Sequence, residues 1–182
     1  KEVVASEIKP FEDNVKKEPL ISEEVELKGS PVKKTKLNEA MGTTEWTLKN
    51  GIQVIVKQTP YEADAINIEA VADGGAAIFS DEDYYSAQML SSVMSMSGIS
   101  KFSASDLRKQ LSGKNARVNV GVGTYQHAIE GTAALKDAET MFQLMYLNFT
   151  APRFSEDDFA TLMKRYDAML ANQLTNPAFV FG

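Results

Sequence analysis

His127 is the single histidine of a chain that has no cysteine, and those two counts close most routes to catalysis. Zinc hydrolysis needs about three N, O or S ligands from the protein, usually including at least two histidines, with a carboxylate as base. His127 alone cannot supply them. It stands between Gln126 and Ala128 in an alternating run, the setting of an ordinary sheet histidine. A Ser-His-Asp site would have to draw on the same residue, and no G-x-S-x-G elbow occurs. Without cysteine there is no disulfide, thiolate zinc site or thiol nucleophile.

The acidic clusters read as helix starts. Ser80-Asp81-Glu82-Asp83 and Glu156-Asp157-Asp158 put carboxylates where a helix N-terminus has unpaired N–H groups, which favours a cap over a metal site. Asp73-Gly74-Gly75 lacks the third glycine and the strand-turn-helix setting of a dinucleotide fingerprint. It reads as a sharp bend closing a strand.

The elements that would position these residues follow from periodicity. Thr44 to Lys49 and Ile52 to Lys57 alternate apolar and polar positions around Asn50-Gly51, which predicts a hairpin with a type I′ turn. A third strand runs from Ala65 to Ala72. Apolar residues at Met89, Leu90, Val93, Met94 and Met96 recur at helical spacing and stop at Gly98. This helix is expected to bury Leu90, Val93 and Met94 against the sheet and to turn Ser91, Ser92 and Ser95 outward or toward a partner. A second helix is capped at Ser103 and runs to Gly113. Strands at Ala116 to Val122 and Tyr125 to Gly131 and helices over Lys136 to Phe149 and Ser155 to about Leu174 complete the chain. The third helix, apolar round much of its circumference, is expected to be the buried one. The order βββααββαα predicts an α+β fold, a mostly antiparallel sheet covered by helices on one face.

At 182 residues with 43% apolar content the chain has material for a real core. Residues 1–40 differ in texture. Pro10, Pro19 and Pro31 interrupt short apolar pairs among charges, no period is sustained, and the segment reads as an extended linker that docks in places. The domain proper is expected over 41–182. The net charge of -6 and the lack of a basic cluster argue against nucleic acid as a partner. No segment approaches the roughly 20 apolar residues of a membrane span, and the N-terminus has no apolar run of signal-peptide length. The missing initial Met and the stop at Gly182 read as a piece of a longer protein.

Trp46-Thr-Leu-Lys-Asn-Gly-Ile-Gln-Val-Ile-Val-Lys57, the strand ending in Asp73-Gly74-Gly75, and the Ser/Met helix ending in Ser97-Gly98 together resemble the start of a pitrilysin/insulinase-type zinc metallopeptidase module. Leu147 to Ser155 and Leu170 to Pro177 are similar to that module's third and fourth helices. The resemblance covers about residues 42–182.

The family's active module carries an inverted zinc motif, His-x-x-Glu-His, on its first long helix, and a further Glu ligand on the last helix. Aligned on Gly98, those positions fall near Met89, Ser92, Val93 and Met169, none of which can do that work. The resemblance therefore implies no catalytic and no metal-binding residue in this chain. It implies a non-catalytic sister module of a larger zinc metalloendopeptidase, which helps enclose and bind peptide beside a catalytic half that holds the zinc. The linker then joins two halves of one parent, and a bacterial envelope or periplasmic location is compatible. A structural or assembly subunit that kept the fold, or a free-standing binding domain, are the alternatives.

Overall fold

The structure, a computed structural model, describes residues 18–175 and 179. Its strands and helices alternate as ββββααββαα. The first three strands are β1 (Val32–Asn38), β2 (Thr43–Leu48) and β3 (Gln53–Val56), paired antiparallel in that order. A second antiparallel sheet is built from β4 (Ala65–Asp73), β5 (Ala116–Val122) and β6 (Gln126–Ala134), with β6 in the middle. The helices are α1 (Tyr84–Ser97), α2 (Ala104–Gln110), α3 (Ala138–Thr150) and α4 (Glu156–Thr175). The fold is α+β as expected, with two small sheets in place of one.

The correction at the N-terminal side is β1, which forms within the segment read as linker. Val-Lys-Lys-Thr-Lys-Leu-Asn is exposed on both faces, so no buried face writes a period of two into it. It is an edge strand rich in lysine, the composition that blunts an edge against pairing with another chain. The hairpin after β2 is also corrected. Gly51 has φ +93° and is the one of the pair at positive φ, while its N–H donates to the Leu48 carbonyl at 3.0 Å. The turn is centred on Lys49-Asn50 with Gly51 following in the left-handed position, a bulged turn instead of type I′.

The core lies where α3 crosses the second sheet. Met141, Leu144 and Leu147 are buried on α3, as expected of the third helix, and Ile129 and Ala133 are buried on β6 beneath it. Leu144 and Leu147 join Ile99, Phe102 and Leu20 in one cluster. Leu20 is only 8% exposed. The apolar pair Leu20-Ile21 therefore docks, and it docks onto this module's own core, held further by Glu18 pairing with Lys101 at 2.5 Å. Pro10 and the other residues of 1–17 lie outside the described residues, as do Asn176 and Pro177.

Caps set the helix boundaries. Ser103 Oγ accepts from the Asp106 N–H at 3.2 Å and starts α2. Ser80 Oγ accepts from the Asp83 N–H at 3.3 Å, so the expected cap closes the turn before α1, which begins at Tyr84. Ser155 Oγ accepts from the Asp158 N–H at 3.3 Å at the head of α4. Helix α1 stops at Gly98, where φ is +82° and any Cβ would collide with the Phe102 carbonyl oxygen.

Candidate functional site

Strand β5 is an edge of its sheet. In an antiparallel ladder the N–H and C=O of one residue point to the same side, and successive residues alternate sides. Asn115 accepts from the Ala134 N–H at 2.9 Å and the Gly123 N–H donates to Gln126 at 2.8 Å, so the odd-numbered residues pair with β6. Ala116, Val118 and Val120 consequently present their backbone groups to the open side. Val122 does the same, and there its N–H donates to Ser91 Oγ of α1 at 3.2 Å.

Between that edge and α1 lies a half-open cavity of about 620 Å³. Residues 116–120 line it without interruption. Since side chains of a strand alternate between faces, an unbroken lining means that the cavity wraps the strand edge. Ser91, Ser92, Ser95 and Met94 form the wall on α1, Leu107 and Arg108 of α2 with Leu111 just after it a second wall, and Leu144 and Asn148 of α3 the floor. The cavity thus combines unpaired strand amides and carbonyls, small hydroxyls, a floor of one leucine and one asparagine, and two arginines at its border.

This arrangement corrects the expected face of α1 at Leu90 and Ser91, while Met94 turns inward and Ser95 is exposed as expected. Leu90 is 42% exposed, and Ser91 faces the sheet. The stripe toward the module runs through Ala87, Ser91, Met94 and Gly98, spaced as one helix face. The reason is polar accounting. A strand edge beside a helix needs hydrogen-bond partners, and a serine both supplies an oxygen and lets the helix approach closely, which a leucine at that position would prevent. Ser95 is exposed at the rim and Met94 lies half-buried within.

The positions that the family resemblance would align with a zinc site lie on two helices. Met89, Ser92 and Val93 are half-buried on α1, and Met169 is on α4, which packs against α1. The fold brings the two helices together, but a thioether, a hydroxyl, an isopropyl group and a second thioether do not make a zinc ligand set or a base. Zinc does not fit these residues. Among the described residues no group of three or more His, Asp or Glu side chains could hold a metal ion. His127 sits on β6 opposite Ala72 and Val122, and its Nδ1 accepts from the Gly75 N–H at 3.3 Å. It ties the sheet to the turn after β4. Glu156 and Asp157 are exposed at the helix start, and Asp158 lies 3.6 Å from Arg153, whose guanidinium also donates to the Ser97 carbonyl at the end of α1.

Sequence reasoning missed Arg108, Arg117 and the open edge of β5. Arg117 and Asn119 were legible as the polar positions of an alternating strand; that this strand is an edge is a property of sheet order, which no local pattern carries.

No family model matches the sequence, and no curated protein matches it. Solved structures do share its fold. The periplasmic protease PqqL from Escherichia coli superposes with a TM-score of 0.79 at 20% identity, over 99% of this chain and 20% of that one. The ferredoxin protease FusC, solved in complex with Arabidopsis ferredoxin, gives 0.71 at 19% identity, over 97% of this chain and 20% of its own. A protease from Helicobacter pylori gives 0.53 at 16% identity, over 65% of this chain and 28% of its own. The chain spans about a fifth of the length of the first two.

Proposed function

We propose that this chain is a non-catalytic module of a larger zinc metalloendopeptidase and that it holds peptide along the open edge of β5 while a catalytic half cleaves it. The observation that carries the reading is the cavity wrapped around that edge. Three consecutive edge-facing residues offer N–H and C=O groups to an extended chain, which can add as a fourth strand, and main-chain hydrogen bonds of this kind bind peptide with little regard to sequence. Confinement of a peptide next to a catalytic half raises its effective concentration at the reacting atoms.

Support for the peptidase connection comes from the fold shared with larger proteases. Support for a non-catalytic role comes from the chemistry of Met89, Ser92, Val93 and Met169, which offers neither ligands nor base. The zinc of the parent belongs to the catalytic half in this reading, and the periplasm is its compartment.

Elemental analysis of chelator-washed protein and a peptidase assay, each with and without a half that carries His-x-x-Glu-His, test the proposal. The chain alone should hold no stoichiometric zinc and cleave nothing, and it should raise turnover when the catalytic half is supplied. One equivalent of zinc, or chelator-sensitive cleavage by this chain alone, would overturn the non-catalytic reading.

A further inference from the structure

The cavity beside β5 has a charge bias opposite to that of the whole chain. The protein carries a net charge of -6, yet the cavity lining contains Arg108 and Arg117 and neither aspartate nor glutamate. Arg108 is fixed by its Nε donating to the Ala104 carbonyl at 3.2 Å, a bond that leaves its terminal nitrogens as donors. Arg117 forms no ion pair among the described residues. Its cross-strand partner is Thr132, and Glu130 lies one pair further along, opposite Asn119. Both carboxylate and guanidinium are there, but the two do not come within ion-pair distance. Arg108 and Arg117 therefore border the β5 edge from its two faces, Arg117 on the exposed face and Arg108 from α2 on the side where Val118 packs, with no carboxylate bound to either among the described residues.

We propose that the β5 groove selects extended peptides that carry aspartate or glutamate side chains, with Arg117 and Arg108 as the residues that read them. The inference rests on the peptide-holding reading and adds a side-chain preference to it. A strand added to the edge of β5 would place alternate side chains on the face of Arg117 and Asn119, where opposite-charge cross-strand pairs are favourable. Guanidinium is suited to the task because its fork of donors matches a carboxylate in two parallel hydrogen bonds. The main chain supplies the bulk of the affinity, and the arginines decide between acidic and neutral sequences.

The test uses the whole 182-residue chain and two fluorescein-labelled octapeptides, one with Glu at successive central positions so that both faces of an added strand carry carboxylates, and one with Gln in their place, read by fluorescence anisotropy. The Glu peptide should bind about fivefold more tightly at low salt, the size expected of exposed ion pairs, and the difference should shrink as salt rises. Arg117→Gln should remove most of the preference. Arg117→Lys should keep part of it. Arg108→Gln should reduce it further, with circular dichroism reporting that α2 is intact. Equal binding of the two peptides overturns the charge preference and leaves the peptide-holding reading standing. A preference that survives in the double variant places the selectivity elsewhere and also overturns the assignment. Binding of neither peptide overturns both.

Discussion

Glu45 on β2 accepts from Lys36 Nζ at 3.1 Å and from Asn38 Nδ2 at 3.2 Å. These bonds, the Lys36 one foremost, hold its carboxyl below the ordinary glutamate range. A carboxyl whose folded value is depressed contributes stability that is present above the unfolded value and is lost as pH falls through the folded one. The β1–β2 pairing should therefore weaken on acidification below the usual carboxylate range, and Glu45→Gln should flatten that dependence. Fluorescence of Trp46, the chain's single tryptophan, followed through an acid titration of both proteins, measures it. An identical acid limb in the variant would remove Glu45 from the account. Gly98 supplies a second residue-scale outcome. Gly98→Ala combines a positive φ with a collision against the Phe102 carbonyl, and should cost at least about 2 kcal/mol in denaturant unfolding. Residues of this kind were partly legible. The cap at Ser103 and the stop at Gly98 are local chemistry and stand in the sequence, whereas the role of Ser91 depends on a strand thirty residues away.

At the scale of elements, the two misplaced features share one cause. Hydrophobic periodicity reports a buried face, and neither β1 nor the sheet-facing side of α1 has a strongly apolar one. Strand β1 is exposed on both faces, and α1 presents serine to the sheet because an edge amide needs an oxygen more than it needs a methyl. Where burial is apolar and regular, as on α3, the pattern and the structure agree. A leucine pair tests this reading. Leu20, in the segment read as linker, is buried in the core cluster, while Leu90, on the apolar stripe of α1, is 42% exposed. Leu20→Ala should cost about 2–4 kcal/mol, the range for a buried leucine, and Leu90→Ala less than about 1 kcal/mol. Urea unfolding of the two variants decides it. The reverse order would restore the face expected from periodicity and would detach Leu20 from the core.

For the whole molecule, the two sheets differ in what holds them. The second sheet packs on α1 and α3 through β5 and β6, whereas the extensive contacts of β1, β2 and β3 are with one another. Leu37, Ile55 and Val56 are exposed on that first sheet, and a three-stranded sheet with no apolar layer over it sits at the lower limit of independent stability. Local opening should therefore be easier there than in β6 or α3, where opening exposes Met141, Leu144 and Ile129. Amide hydrogen exchange on the native chain should show β1–β3 at least about tenfold less protected than β6 and α3. If the proposed catalytic half covers the exposed apolar side chains of the first sheet, adding that half should slow exchange in β1–β3 while leaving β6 nearly unchanged. Peptide held at the β5 edge should instead slow exchange at Val118 and Val120, whose amides face the cavity. Uniform protection across both sheets in the isolated chain would mean that the first sheet is anchored to the module by contacts stronger than those described, and its dependence on a second half would fall with that result.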